Sequence, residues 1–425
     1  MPTLARLVLV ALLGVPLAAQ ETPSARLVAI GDVHGHIEGL STILVKAGLT
    51  DAGGRWTGGK ASLIQTGDFM DRDDNVRAVM DRLMTIETEA KAAGGMALAL
   101  LGNHEVMNLI GLTRDATPAI FATFADAQSA SRREKEWDRY SLMAEARHDV
   151  GEAPAPVYQQ TREQWMTAHP LGYIEYREAL GPKGKYGRWL RGKPMVIKVG
   201  DSIFMHAGID AAQAPKAIDE LNDKLKSEIS RIDKFMARLV ERKITLPSFT
   251  LQEALAATAA EIDTVNGLIK AANAGRQPLD PDRVDFAFVS EAIEMLKMDE
   301  WNVLATEGPL WYRGLALLPD EPAGGPVAPL LDRYGARRFV VGHTPTEDRR
   351  IHSRFGGRVV VIDTGMSPTY EGRPSALEID GDRLMAIYED GRIPVGVAAS
   401  TGAPAEARNH ATVWRSPSSS VTLGR

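Results

Sequence analysis

The chain has 425 residues, a formal net charge of −6 at pH 7 and no cysteine. This length accommodates one large α/β domain with insertions, or roughly two or three domains of average size. The absence of cysteine excludes disulfides and thiolate metal sites. Lysine and arginine are dispersed along the sequence, so no basic patch predicts a nucleic-acid partner.

Residues 1–19 are predicted to be a secretory signal peptide, because an arginine is followed by the apolar run 7–15 and by small residues at Ala18 and Ala19. We expect a periplasmic or secreted protein without stable membrane association after cleavage. The apolar run is shorter than the roughly 20 residues that span a bilayer. An uncleaved anchor stays open as an alternative, because Leu17 occupies a position that prefers a small side chain.

Three apolar runs in the first hundred residues each stop at polar residues and are each followed by a helical pattern. The runs are 27–30, 61–65 and 96–101, and the polar residues after them include Asp32, His34, Asp68 and Asn103. Strands that alternate with helices predict a largely parallel sheet whose ligands gather at the carboxyl ends of the strands. Asp32 and His34 are two residues apart, so in an extended strand their side chains would point the same way.

Two helical insertions are predicted, at about 112–192 and 210–300, from charged and amphipathic patterns. The aromatic residues of the first insertion are expected to form core. Further strands are predicted around a hairpin at Gly200 and Asp201, at 338–341 and 358–363, and in a hairpin over 376–388. From residue 394 the sequence is rich in alanine, glycine, serine and proline, which predicts a disordered tail over 394–425.

The polar residues that end the strands are two carboxylates, one amide and three imidazoles: Asp32, His34, Asp68, Asn103, His206 and His343. One metal ion can take Asp32, His34 and one oxygen of Asp68, and a second ion can take the other oxygen of Asp68 with the remaining three. A bridging carboxylate of this kind holds two ions roughly 3.5–4 Å apart, which suits in-line displacement at phosphorus. Nitrogen and oxygen ligands favour manganese, iron or zinc over calcium.

The motifs GDVHG, GDFMDR, GNHE, HAG and GHT occur in this order. Together they resemble the calcineurin-like metallophosphoesterases, in particular the phosphoprotein phosphatase branch. The segment GPLWYRG and the helical insertions resemble the bacterial Shewanella-like protein phosphatase type. The resemblance implies an α/β fold in which residues 27–390 form a calcineurin-like αββα sandwich with helical insertions, so the expected core has two sheets with mixed strands.

Residue roles also follow from the resemblance. It implies two divalent ions, manganese foremost with iron or zinc as alternatives, and a hydroxide between them as the nucleophile. Asp32 and His34 would serve the first ion, Asp68 would bridge, and Asn103, His206 and His343 would serve the second. Four further residues match substrate and acid–base positions: Asp71, Arg72, His104 and Arg313.

In this scheme the two arginines grip phosphate oxygens, and His104 protonates the leaving oxygen while Asp71 fixes its tautomer. Pro345 stands where phosphodiesterase members often carry a second histidine, which favours the phosphatase branch. Thr344, Asp363 and Thr364 are candidate partners behind His343 or the substrate, whereas His36, His352 and His410 are expected at the surface.

The expected activity is hydrolysis of phosphate monoesters, with phosphorylated protein (serine/threonine or tyrosine) or a small phosphomonoester as substrate. A diadenosine-polyphosphate or nucleotide phosphatase on the same core is the alternative. A non-enzymatic phosphate-binding protein is disfavoured by the complete set of ligand residues. The oligomeric state does not follow from the sequence.

Overall fold

The computed structural model describes residues 26–148, 155–276, 278 and 284–396. The predicted signal peptide and the predicted tail from residue 397 onward lie outside these residues. Within the described ranges, no helix combines the length and the apolar character that a membrane crossing requires.

Eleven strands of the described chain form two sheets with mixed strand directions. The six-stranded sheet has the order β11-β10-β9-β1-β2-β3, and the five-stranded sheet has the order β4-β5-β6-β8-β7. The strands are β1 Leu27–Ile30, β2 Ser62–Gln65, β3 Met96–Ala99, β4 Val196–Val199, β5 Ser202–Met205, β6 Arg338–Val341, β7 His352–Arg354, β8 Val359–Val361, β9 Ser375–Asp380, β10 Arg383–Tyr388 and β11 Gly391–Pro394.

The central strands are parallel in both sheets, and antiparallel strands close the edges. β1 pairs in parallel with β2, and β2 with β3, while β9 runs antiparallel to β1. In the second sheet β5, β6 and β8 are parallel, with β4 and β7 antiparallel beside them. The predicted two-sheet core with mixed strands is therefore confirmed.

The two sheets face each other across an apolar layer. Ala29 and Ile64 from the first sheet pack in one buried cluster with Phe204, Val340 and Val360 from the second. Strands whose two faces are both covered consist of nearly continuous apolar residues. This explains why the runs at β1, β5 and β6 lack the alternation of a half-exposed strand.

Helices cover the sheets and form the two insertions. α1 and α2 pack beside each other against the first sheet, and α12 packs against β8 of the second. The helices are α1 Ile37–Lys46, α2 Val76–Ala92, α3 Asn103–Ile110, α4 Pro118–Ala122, α5 Ser129–His148, α6 Arg162–Ala168, α7 Tyr173–Leu180, α8 Lys185–Arg191, α9 Asp219–Glu241, α10 Leu251–Asn273, α11 Phe286–Met295, α12 Gly314–Leu317 and α13 Val327–Tyr334.

Helices α4–α8 and α9–α11 lie in the stretches where the sequence predicts insertions, although the domain boundaries themselves stay a prediction. In α9, residues three or four apart such as Leu225, Ile229 and Ile232 are buried, as an amphipathic helix requires. In the first insertion Trp165 and Tyr173 are buried. The aromatic residues there form core, as expected.

Two short strands are absent from the sequence-based prediction. β7 is an edge strand of three residues, and β11 is an exposed edge strand that ends at Pro394. The predicted tail therefore begins, at residue 394, inside an ordered edge strand. Neither strand contains an apolar run, since β7 reads His-Ser-Arg and β11 reads Gly-Arg-Ile-Pro, which explains why the sequence gives no sign of them.

Candidate metal centre

Loops after four core strands meet in one buried cluster. They follow β1 and β2 of the first sheet and β5 and β6 of the second, and the start of α3 joins them. The structure thereby brings together all six residues that the sequence selects as metal ligands, each less than a tenth exposed: Asp32, His34, Asp68, Asn103, His206 and His343.

Asp32 and His34 lie close together for a different reason from the expected one. β1 ends at Ile30, so Asp32 and His34 lie in the following loop, and His34 has a left-handed backbone with φ of 45°. The loop is held because the backbone N–H groups of Val33 and His34 donate to the Asp68 carbonyl at 2.9 and 3.0 Å. His34 Nε2 lies 3.9 Å from Asp32 Oδ2. The expectation that strand alternation aligns this pair is wrong, and a tight loop does so instead.

Left-handed backbone is concentrated at this cluster. The described non-glycine residues with positive φ include five of the site: His34, Asp68, Asp71, Arg72 and His343. Such conformations cost of order 1–3 kcal/mol each and persist where the surroundings enforce them. They aim adjacent side chains into one small volume, which regular strands cannot do.

Two glycines of the motifs are required because carboxylates pack directly against them. A Cβ added to Gly102 would lie 2.2 Å from Asp68 Oδ1, and one added to Gly342 would lie 2.3 Å from Asp32 Oδ1. These glycines precede Asn103 and His343, so the same close approach brings each ligand residue beside its carboxylate.

Asp68 lies at the centre of the cluster, and a single oxygen faces the histidines. Its Oδ2 is 3.2 Å from His206 Nε2, 3.8 Å from His104 Nε2 and 3.9 Å from His34 Nε2. Its Oδ1 accepts a hydrogen bond from the His104 backbone N–H at 3.0 Å. The sequence predicts one oxygen of Asp68 for each ion, whereas in the structure Oδ2 alone faces both groups of donors.

Backbone carbonyls set the tautomers of three histidines. His34 Nδ1 donates to Met70 O at 2.9 Å, and His206 Nδ1 donates to Thr66 O at 3.1 Å. His343 instead donates from Nε2 to Trp311 O at 3.2 Å. In each ring the other nitrogen keeps its lone pair, and that nitrogen faces the cluster.

The unprotonated nitrogen of His206 faces three other atoms that can only accept hydrogen bonds. His206 Nε2 is 2.9 Å from Asn103 Oδ1, 3.0 Å from His343 Nδ1 and 3.2 Å from Asp68 Oδ2. Because His206 already uses its proton at Nδ1, these four acceptor atoms cannot satisfy one another. A cation among them removes the conflict, and mixed nitrogen and oxygen donors suit a transition-metal ion.

Two overlapping groups of residues can hold ions. The first consists of His34, Asp68 and His104, and the second of Asp68, His206 and His343, with the ligand atoms of each group within 4.8 Å of one another. Asp32 lies beside the first group through His34. The residues present therefore fit a divalent metal site.

The electrostatics of the cluster lead to the same conclusion. Burial, with the nearby charges of Asp363 and Asp68, raises the pKa of Asp32 well above its usual range. Burial also raises the pKa of Asp363 to about 6 and lowers the pKa of His34 to about 3. The buried carboxylates beside these neutral imidazoles have too few positively charged partners. A bound cation would supply the missing positive charge.

His104 and Asp71 form a buried pair beside this cluster. His104 Nδ1 donates to Asp71 Oδ2 at 2.7 Å, which leaves Nε2 directed toward Asp68. Burial opposes protonation of His104, but the charge of Asp68 and the hydrogen bond to Asp71 outweigh it and raise the pKa of His104 to about 9. The imidazole is therefore able to carry a proton near neutral pH.

The two arginines singled out by the sequence lie beside the cluster, and each is partly exposed and tethered. Arg313 Nη1 donates to His343 O at 2.7 Å and to Thr344 Oγ1 at 3.1 Å. Arg72 Nη1 pairs with Asp115 Oδ1 at 3.1 Å. The loop of His343 and the loop after α3 therefore orient the arginine side chains.

Two residues at the site, Glu105 and Tyr370, are not among those that the sequence selects. Glu105 accepts four backbone hydrogen bonds, from Gly102 and from the residues 68–70. It thereby fixes the loop that carries Asp68. Its place in GNHE was the available signal. Tyr370, whose ring centre lies 5.5 Å from that of His34, ends the 3-10 helix Pro368–Tyr370, which is too short to have a distinguishing pattern.

The family model described as calcineurin-like phosphoesterase matches residues 25–228. Residues 25–228 therefore form a calcineurin-like phosphoesterase domain. The family match ends before Arg313 and His343, and the fold brings these two residues of the phosphoesterase back to the same site.

Known relatives of this phosphoesterase agree with the match. It is 32% identical over 212 residues to Shewanella-like protein phosphatase 2 of Arabidopsis thaliana, which covers 48% of this chain and 52% of the relative. It is 23% identical to Shewanella-like protein phosphatase 1 of Plasmodium berghei, covering 86% of this chain and 74% of the relative. The chain is a metal-dependent phosphatase.

Solved structures share the fold. The crystal structure of a cold-active protein-tyrosine phosphatase from a psychrophilic Shewanella species superposes with a TM-score of 0.50. The two chains are 22% identical, and the match covers 87% of this chain and 80% of the other. At this identity the similarity establishes the architecture alone.

Proposed function

We propose that this phosphatase uses two metal ions to hydrolyse phosphate monoesters on proteins. The observation that supports this most directly is Asp68 Oδ2, which belongs to both groups of donors in the cluster. A carboxylate shared by two metal sites is the arrangement that enzymes use for in-line displacement at phosphorus.

Divalent ions bound at these groups would lower the pKa of a coordinated water and neutralise charge on the phosphoryl oxygens. In the proposed assignment Asp32, His34 and Asp68 would hold the first ion, which leaves His104 of that group as the acid. Asp68, Asn103, His206 and His343 would hold the second ion. Manganese is the proposed metal, with iron or zinc as alternatives, because the donors are nitrogen and oxygen alone.

His104 is the proposed general acid. The N–H at Nδ1 of His104 donates its hydrogen bond to Asp71. A second proton, at Nε2, would therefore face the metal cluster and could pass to the leaving oxygen. Both residues are buried, so their hydrogen bond is shielded from competing water.

Arg72 and Arg313 are the proposed phosphate clamp. A guanidinium can bind two phosphate oxygens through parallel hydrogen bonds, which the ammonium group of lysine cannot do. Each arginine is held at Nη1 by a neighbouring loop, so its orientation is set before substrate arrives.

The size of the required effect decides which groups matter most. Enzymes accelerate phosphate monoester hydrolysis by up to ~10²¹, which corresponds to about 28 kcal/mol. A general acid contributes roughly 10²–10⁴, or about 3–5 kcal/mol. Most of the acceleration must therefore come from the metal ions and the arginines.

A protein substrate is proposed because two relatives are named protein phosphatases and a protein-tyrosine phosphatase has the same fold. The test is to measure kcat/KM of the purified chain with manganese, iron or zinc on phosphotyrosine and phosphoserine peptides, ATP and diadenosine tetraphosphate. Peptides should be preferred. The Asp68→Asn variant controls for contaminating phosphatases, because it keeps the shape of the side chain and removes its charge.

The other outcomes of this experiment are equally decisive. A preference for ATP or diadenosine tetraphosphate would replace the protein substrate by the nucleotide alternative. If no metal supports hydrolysis of any phosphomonoester, a phosphate-binding role without catalysis replaces the proposed activity.

We also propose that the protein is exported to the periplasm or secreted. The proposal rests on the arginine, the apolar run 7–15 and the small residues before residue 20. Fractionation of expressing cells, with sequencing of the mature N-terminus, tests it. A chain that retains Met1 in the cytoplasm would contradict export.

A further inference from the structure

A chain of buried hydrogen bonds joins the first helical insertion to the proposed acid. Asn108 Nδ2 donates to Asp71 Oδ2 at 2.8 Å, and the hydroxyl of Tyr176 donates to Asn108 Oδ1 at 2.6 Å. Asp71 Oδ2 in turn accepts from His104 Nδ1 at 2.7 Å. All four residues are at most 5% exposed.

The orientation of the Asn108 amide follows from its partners. Its nitrogen also donates to the His104 carbonyl at 2.9 Å, one helical turn earlier in α3. A carbonyl and a carboxylate both only accept, so the amide nitrogen must face them and the amide oxygen must face Tyr176. Tyr176 is therefore the donor in its bond to Asn108. The donor and the acceptor of each hydrogen bond in this network are thus fixed.

Asp71 depends on this chain. Within the described residues its Oδ1 has no hydrogen-bond partner, so the carboxylate is held through Oδ2 by His104 and Asn108. Without Asn108 in place, Asp71 would be oriented by the residue that it is meant to orient. The tautomer and direction of the His104 ring therefore rest on a group outside the Asp71–His104 pair.

The ring of Tyr176 is fixed by the insertion. Its centre lies 5.1 Å from that of Phe121 and 5.0 Å from that of Phe124, both in edge-on contact. Burial, with the nearby charge of Asp71, raises the pKa of Tyr176 well above its usual range, so the hydroxyl keeps its proton. The aromatic core of the insertion thus delivers a rigid donor toward the catalytic pair.

We propose that Tyr176 and Asn108 are positioning residues for the acid His104, acting through Asp71. This inference rests on the proposed role of His104. It gives the first insertion a part in catalysis: its aromatic core sets the direction in which the leaving oxygen receives its proton.

The test is Tyr176→Phe, which removes one hydroxyl and keeps the ring. Loss of an outer partner of an active-site group typically costs about 10–100-fold. We expect kcat on a phosphoserine peptide to fall about 10-fold, and kcat on 4-nitrophenyl phosphate to fall about 3-fold or less, because an activated leaving group needs little protonation. KM should change little. Asn108→Leu, which is of similar size, should show the same substrate dependence.

Tyr173→Phe is the matched control. Tyr173 lies on the same helix, is equally buried and packs on the same Phe121, but its hydroxyl donates to Ser248 O at 2.9 Å, away from the site. It should leave the ratio of the two kcat values unchanged. If Tyr176→Phe affects both substrates equally, or no more than Tyr173→Phe does, Tyr176 is structural and the proposal is overturned.

A double-mutant cycle gives a second criterion. In a His104→Ala background, Tyr176→Phe should cause no further change in the ratio of the two kcat values, since the residue through which it acts is gone. A persistent change would overturn the proposal. Failure of the proposed function is distinguishable, because then the wild-type chain with manganese would hydrolyse neither substrate.

Discussion

The loops after the core strands and the helices of the two insertions place their buried side chains by different means. In the loops, left-handed backbone, which is uncommon outside glycine, turns polar groups inward at residues such as His34 and Asp68. In the insertions, ordinary helices bury apolar residues three or four positions apart, as in α9. The comparison shows that the chemistry belongs to the strained loops and to helix α3, while the insertion helices supply packing and the hydroxyl of Tyr176.

The largest effect is expected for Asp68→Asn. The variant removes the one charge that both groups of donors share, so kcat with manganese should fall by more than about 100-fold. Metal content by mass spectrometry should fall with it. His352→Ala, in the edge strand β7, is a control histidine whose loss should change neither value. Full activity of Asp68→Asn would mean that the loops are not the catalytic region.

Metal removal is a second test of whether the loops, rather than the insertions, hold the ions. A ligand that binds only the folded state stabilises it by about 2.7 kcal/mol at 100 times its dissociation constant. A chelator should therefore abolish the activity of the wild-type chain and lower its unfolding midpoint, and manganese should restore both. Asp68→Asn should unfold at a midpoint that does not respond to manganese.

His104→Ala should lower kcat on a phosphoserine peptide by roughly 10²–10⁴ and have a smaller effect on 4-nitrophenyl phosphate. The difference arises because the alkyl leaving group needs a proton that the aryl group does not. Steady-state kinetics on the two substrates measures it. Equal losses on both would remove His104 from the acid role and leave it as a structural partner of Asp71.

Arg313→Lys should reduce kcat/KM by about 10–100-fold, because lysine cannot reproduce the paired hydrogen bonds to phosphate and loses the tether to His343 O and Thr344. Arg333→Lys, on the surface, is the control. Turnover close to that of the wild type would exclude Arg313 from the clamp.

The smallest effect concerns His169 in the first insertion. Burial lowers its pKa below 6.5, and its Nδ1 bonds to Trp165 O at 2.8 Å. Below about pH 6.5 the unfolded chain takes up a proton that the folded chain does not, so the free energy of unfolding falls as the pH falls, by at most about 1.4 kcal/mol per pH unit.

His169→Phe should therefore reduce the decline of the unfolding midpoint between pH 7 and pH 5 while activity at pH 7 stays the same. Thermal unfolding at several pH values measures it. An unchanged pH dependence would show that His169 is not the group responsible, and a loss of activity would show that the insertion affects the site through more than Tyr176.

The sequence alone predicts the order of strands and helices in the core and the helical insertions. It also predicts which residues meet at Asp68. Apolar runs that stop at Asp32, Asp68 and His206 are local patterns, and parallel strands bring their carboxyl ends together. The family resemblance added the second sheet. Short edge strands such as β7 and β11 left no pattern to find.

Only the tertiary structure decided how these residues act together. The left-handed turn at His34, the choice of Asp68 Oδ2 as the shared oxygen and the tautomers set by carbonyls such as Thr66 O depend on contacts between segments far apart in the chain. The bond from Tyr176 to Asn108 joins residues 68 positions apart. Local patterns record which residues a segment offers, whereas the direction of a side chain is set by the neighbours that folding brings to it.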